Sequence, residues 1–237
     1  MKKIFLFLFL FIGLQGFSQE VHKTSPFSAS AELTSKYLWR GQEYGEAPTV
    51  FPTLGFATGG LSVYATGAYT IDNSWRETDL GVGYTIGDFS VGIVDYFYPT
   101  PTGNSDKLFN FKKDETGHLF EGSLSYAPSA LPITAMVSTF FYGADKNMEG
   151  EQAWSAYAEI GYHYDFSETN ILSLALGASL NKSLYNNFET GFSVVNIALK
   201  YQTAIPMGDY NLPVSAQYVI NPQKEKSYLS FSVYLNI

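Results

Sequence analysis

The chain has 237 residues, 14 Lys and Arg against 22 Asp and Glu, a formal charge of −8 and no cysteine. The acidic balance argues against nucleic-acid binding, which needs clustered basic side chains to neutralise phosphates, and the lack of cysteine excludes disulfides and a lipid anchor on an N-terminal cysteine. Aromatic residues make up 17% of the chain and charged residues only 15%, dispersed by alternation rather than gathered into long apolar runs. Transmembrane barrels have this balance, and soluble sandwiches and closed barrels share it.

Lys2 and Lys3, the apolar run 4–12 and the segment Gly16-Phe17-Ser18 predict a secretory signal over residues 1–18. The run is too short to cross a bilayer as a helix, which takes about 20 residues. Removing the signal leaves 12 basic residues against 22 acidic ones, a charge of −10. Residues 19–27 read as a short periplasmic lead, and 28–237 as one barrel domain.

The first strand is expected over 28–40, with Ala29, Ala31, Leu33, Tyr37 and Trp39 on one parity, Ser30, Glu32, Thr34, Lys36 and Arg40 on the other, and Leu38 as an intruder. A polar loop 41–47 leads to strands over 48–57 and 61–70, joined at Thr58-Gly59-Gly60. In 77–86, Leu80, Val82, Tyr84 and Ile86 alternate with Glu77, Asp79, Gly81, Gly83 and Thr85, the period of two of a strand with one apolar and one polar face. Gly87-Asp88 supplies a tight hairpin turn, and Phe89, Val91 and Ile93 resume the apolar face on the way back. Asp95 breaks that parity, which a bulge or a headgroup contact near the rim would explain.

A long polar loop, 99–117, precedes strands over 118–126 and 133–142. After the loop 143–152 come strands 153–166 and 170–180, and after 181–191 the strands 192–201, 212–220 and 228–237. About twelve strands result, an even number as a closed antiparallel barrel requires, and the connections alternate between long polar loops and mostly tight turns. Long loops at one end separate an outer-membrane barrel from a soluble sandwich. The tryptophans Trp39, Trp75 and Trp154 all fall at the long-loop rim, the expected place of an aromatic girdle. The expected fold is therefore all-β, a transmembrane up-and-down barrel. Its partners would be outer-membrane lipid and small polar solutes, with oligomeric state left open.

The segments ELTSKYLWRGQ at 32–42, ETDLGVGY at 77–84 and YFYP at 96–99, with Pro48 between, resemble the TorF family of outer-membrane porins. The family pattern Ser-x-Tyr-x-x-Arg-Gly is met by Ser35, Tyr37, Arg40 and Gly41, and its Glu-x-Asp strand by Glu77 and Asp79. The resemblance covers about the first hundred residues. It implies a Gram-negative outer-membrane location and porin-like transport, and supplies no substrate-binding residue.

If the apolar parity faces lipid, the lumen is lined by Glu32, Lys36, Arg40, Glu77, Asp79, Glu121, Glu159 and Lys200. These form either a filter for small solutes or a network in which Arg40 and Lys36 pair with Glu77, Asp79 or Glu121 and brace the barrel. Two rival functions are a non-conducting structural or adhesive barrel and an outer-membrane lipid hydrolase. The hydrolase would need a serine beside a base, and the sequence offers only His163 with Asp165. The residue spacing implies no metal or cofactor site, and the charges of loop 99–117 read as a solvated surface.

Overall fold

The computed structural model describes residues 25–99 and 106–236. The expected signal at 1–18 and residues 19–24 of the lead lie outside the described residues. The strands are β1 (Phe27–Thr34), β2 (Tyr37–Trp39), β3 (Gln42–Tyr44), β4 (Thr49–Thr58), β5 (Leu61–Thr70), β6 (Arg76–Ile86), β7 (Phe89–Phe97), β8 (His118–Tyr126), β9 (Ile133–Gly143), β10 (Ala156–Asp165), β11 (Ile171–Ser179), β12 (Ser193–Met207), β13 (Tyr210–Asn221) and β14 (Lys226–Asn236). Twelve of them, β1 and β4 through β14, form a closed antiparallel barrel in sequence order, while β2 and β3 pair only with each other. Pairing of β1 with β14, from Ser30 opposite Asn236 to Thr34 opposite Ser232, closes the cylinder and leaves no free edge.

The alternation decides which face looks outward. On β6, Leu80, Val82, Tyr84 and Ile86 are exposed while Glu77, Asp79 and Gly81 are buried. The same holds around the circumference, with Leu54, Leu124, Val137, Ile160, Leu176, Leu199 and Phe231 all exposed on the outer wall. Full burial of one such side chain is worth about 1.5–3 kcal/mol, so a continuous belt of them belongs in a bilayer rather than in water. No helix among the described residues is long and apolar enough to cross a membrane; the crossing is made by strands.

Gly87, at φ 60°, opens the two-residue turn between β6 and β7, where a glycine at the first central position suits the right-handed twist of the flanking strands. Two expectations about strand limits are corrected. The stretch 28–40 is not one strand: the wall strand β1 ends at Thr34, and the chain turns inward as the β2–β3 hairpin. Leu38, out of phase in the sequence, is buried in a cluster with Ala198 and Val219 on the inner wall. At the other end, β12 and β13 run on to a turn at Gly208 and Asp209, past the 201 and 212 limits expected, because Pro206 sits opposite Asn211 at a strand end, where its missing N–H does little harm. Single extra residues, Phe141 and Val195, interrupt the β8–β9 and β11–β12 registers as bulges.

Candidate functional site: the inward hairpin and the barrel mouth

The β2–β3 hairpin pairs Trp39 with Gln42, so its turn is Arg40-Gly41. Both residues have positive φ, 50° and 78°, the signature of a type I′ turn. In an arginine this conformation costs roughly 1–2 kcal/mol, so the surroundings must hold it. They do so from three walls. Arg40 Nη1 and Nη2 donate to Glu121 of β8 at 2.5 and 3.0 Å, and Nη1 also donates to the Tyr185 hydroxyl. Asn221 of β13 donates to the Gly41 carbonyl at 3.0 Å. A Cβ on Gly41 would stand 1.8 Å from the Val195 carbonyl oxygen, so the bulge in β12 and the glycine fit one another and no larger residue docks there.

Around Arg40 the lumen is filled. Its guanidinium lies 4.4 Å from the centre of the Trp39 ring and 4.6 Å from that of Tyr157, and Tyr96 donates to Glu121 at 2.9 Å. Trp39, Tyr96, Phe140, Tyr157 and Tyr185 pack into one cluster. Tyr185 reaches it from the loop between β11 and β12, on a 3-10 turn (Leu184–Asn186) whose N-cap Ser183 accepts from the Tyr185 amide. Burial pushes the Tyr185 hydroxyl above its ordinary range, against the opposing pull of Arg40, so it serves as a neutral phenol. The ion pair is almost fully desolvated, its side chains 6% and 3% exposed. Removing one partner of such a pair typically costs 3–5 kcal/mol, or about that much, because a bare charge is left behind.

The other charged candidates sit as follows. Glu32 is buried beside Ser232 and Tyr234 and faces Lys200, whose ammonium lies 5.4 Å from the Tyr234 ring centre. Glu159 accepts from Tyr157 and, at 3.0 Å, from Asn196. Glu77 accepts from Trp75 Nε1 at 2.8 Å and from the Tyr37 hydroxyl at 3.2 Å, with buried Asp79 two residues along the same face. Among the described residues neither Glu77 nor Asp79 has a Lys, Arg or His ion pair; of the acids expected to pair with Arg40, Glu121 alone does so. Lys36 stays outside this group, at the half-exposed base of the hairpin, paired with Glu43.

Of the expected girdle, Trp154 is exposed, 54% accessible at the rim. Trp39 and Trp75 are corrected: the hairpin carries Trp39 into the lumen, and Trp75 turns inward to bond Glu77 and pack on Tyr44 and Tyr98. Asp95 makes no bulge, since the β6–β7 register runs through it unbroken. It pairs with His118 Nδ1 at 2.8 Å on the outer wall, while His118 Nε2 lies 2.8 Å from the Leu108 carbonyl, tying the loop that precedes β8 to the barrel side. Among the described residues no hydrogen bond joins His163 to Asp165, and no group of three or more His, Asp or Glu is placed to hold a metal. Sequence reasoning missed Tyr96, Tyr185, Asn196 and Asn221. Tyr185 had one visible signal, an aromatic residue that with Leu184 and Phe188 interrupts a polar loop.

Below the hairpin, toward the tight-turn end, Ser62, Thr85, Ser90, Gly92, Ser123 and Ser125, with Tyr64 and Met136, line a cavity of about 80 Å³ roofed by Arg40, Tyr96 and Glu121.

No protein-family model and no curated protein matches the chain. Among solved structures, it is similar to a membrane protein from work on in-meso crystallization, at 9% identity and TM-score 0.49, over 89% of this chain and 83% of that one. It is also similar to the NanC porin, at 12% identity and TM-score 0.48, over 87% and 97%, and to Pseudomonas aeruginosa OccK8 (OprE), at 10% and 0.43, over 88% of this chain but only 62% of that one. At such identities no residue of those proteins corresponds to one here, and the barrel assignment rests on this chain's own strand pairing.

Proposed function

We propose that this protein is a porin-like channel of the Gram-negative outer membrane, of the TorF type, that passes small polar solutes through a lumen narrowed by its first long loop. The long loops face outward, the tight turns face the periplasm, and the exposed belt contacts lipid. The observation that carries this reading is the contrast inside the barrel: a cavity lined largely by Ser, Thr and Gly meets a hairpin that is held by polar contacts rather than by the wall's own hydrogen-bond ladder. A loop folded into a barrel sets pore size and charge. Within the lumen Glu32, Glu77, Asp79, Glu121 and Glu159 outnumber Arg40 and Lys200, which supports cation preference.

The Arg40–Glu121 pair also supports a second reading, a braced barrel that does not conduct. Reconstitution in a planar bilayer separates the two. Discrete conductance steps with a cation-selective reversal potential are expected, and a folded barrel that remains silent would favour the second reading. Arg40→Ala removes the basic half of the roof and is expected to raise cation selectivity; unchanged selectivity would place Arg40 outside the ion path.

A further inference from the structure

Where β7 and β8 reach the long-loop rim, the outer wall departs from the pattern of the belt. Asp95 stands opposite Leu80 of β6 and Phe120 of β8, so it lies on the lipid-facing parity at the level of an exposed belt leucine. Its partner His118 shares that face yet is 1% exposed, and the neighbouring Phe97 is buried as well. What covers them is the chain's own loop. Leu108 brings its carbonyl, which can only accept, to His118 Nε2. The rings of Phe111 and Phe97 lie 4.5 and 4.4 Å from the imidazole, and the Tyr142 hydroxyl of β9 donates to the Phe111 carbonyl at 2.6 Å. Residues 108–111 thus occupy a strip of wall that lipid would otherwise touch.

An ionisable pair facing hydrocarbon is costly unless it is shielded, and the loop is the shield. Its far side is apolar. Phe109 is 86% exposed, Leu108 and Phe111 are about half exposed, and Phe111 is linked through Phe120 to the exposed Phe141 of β9. Three exposed apolar side chains within four residues mark a contact surface. Because this patch lies at the level of the belt and continues it, the partner is lipid. Lys112 and Lys113 follow directly and are exposed, with stems long enough to hold an ammonium group at the phosphate level while an adjacent ring sits deeper. We propose that the loop before β8 is a lipid-anchoring lip: Phe109 inserts at the headgroup–acyl boundary of the outer leaflet, Lys112 and Lys113 meet lipid phosphates, and the Asp95–His118 pair clamps the segment in place. The lip needs a barrel in a bilayer and is independent of conduction through the lumen.

The chain has no cysteine, so a single introduced thiol carries a nitroxide at one chosen position. Phe109→Cys is compared with Leu124→Cys on the belt and Glu149→Cys on an exposed outer loop, each reconstituted in vesicles of phosphatidylethanolamine and phosphatidylglycerol. Collision of the label with oxygen, which concentrates in the bilayer, is measured against collision with a water-soluble nickel chelate. The oxygen-to-nickel ratio at position 109 is expected to be several-fold above that at 149 and close to that at 124; a ratio equal to that at 149 overturns the lip. Lys112→Gln with Lys113→Gln is expected to lower the ratio at 109, and no change removes the phosphate contacts. Asp95→Ala is expected to bring position 109 toward 149 while 124 stays as it was, and an unchanged ratio removes the clamp. Should Asp95→Ala fail the heat-shift test for a folded barrel, Asp95→Leu with His118→Leu, which leaves no bare charge, takes its place with the same expectation.

Discussion

The two halves of the lumen share one wall but are built on different principles. Toward the tight turns the inner face is mostly Ser, Gly and Thr, short side chains that leave space around Tyr64 and Met136. Toward the long loops the same staves carry Tyr96, Glu121, Tyr157, Glu159 and Asn196, which meet the inward hairpin and Tyr185 in a filled, hydrogen-bonded layer. Closure of the barrel is supplied by strand pairing in both halves. What the upper half adds is a cross-brace from β8 through Arg40 and Gly41 to β12 and β13, and in the proposed channel that brace, rather than the wall, is expected to set what passes.

The largest effect should come from breaking the brace at its charge. Glu121→Ala leaves Arg40 buried without its partner, and a loss of about 3–5 kcal/mol is expected, measured as a lower unfolding midpoint in detergent together with higher single-channel conductance. Gly41→Val attacks the same brace sterically, forcing a Cβ against the Val195 carbonyl oxygen at a φ that suits glycine; about 1–3 kcal/mol and noisier, larger conductance are expected. Outside the lumen, Asp95→Ala removes an acceptor from His118, and faster proteolytic nicking within residues 106–117 is expected with conductance unchanged. The smallest effect belongs to the lower half, where Ser90→Ala should stay within about 0.5 kcal/mol and leave selectivity as it was. A large effect there would erase the contrast between the halves.

The wall was readable from sequence because its period of two is imposed by the bilayer on one face and by the lumen on the other. Leu80 with Glu77 on β6 and Leu176 with Ser179 on β11 follow directly from that demand. The hairpin was not readable, although its signals were present. Leu38 broke the alternation and Arg40-Gly41 invited a turn, yet only the fold brings Glu121, Val195 and Asn221, far along the chain, to receive the tip. Trp39 and Trp75 misled for the same reason, since a rim position in sequence does not tell whether a loop folds outward or inward. The pair of Asp95 with His118 was half visible, as two titratable residues sharing the lipid-facing parity on strands that prove to be neighbours.

The central claim is that the β2–β3 hairpin sets the passage through the barrel. Single-channel conductance of the native chain and of a variant in which residues 36–46 are replaced by a short Gly-Ser link, recorded in the same bilayer and buffer, tests it most directly. The account predicts that the shortened variant still shows the heat-dependent gel shift of a folded barrel and conducts several-fold more, with weaker cation selectivity changes on mutating Glu121. Equal conductance from two folded barrels would contradict it.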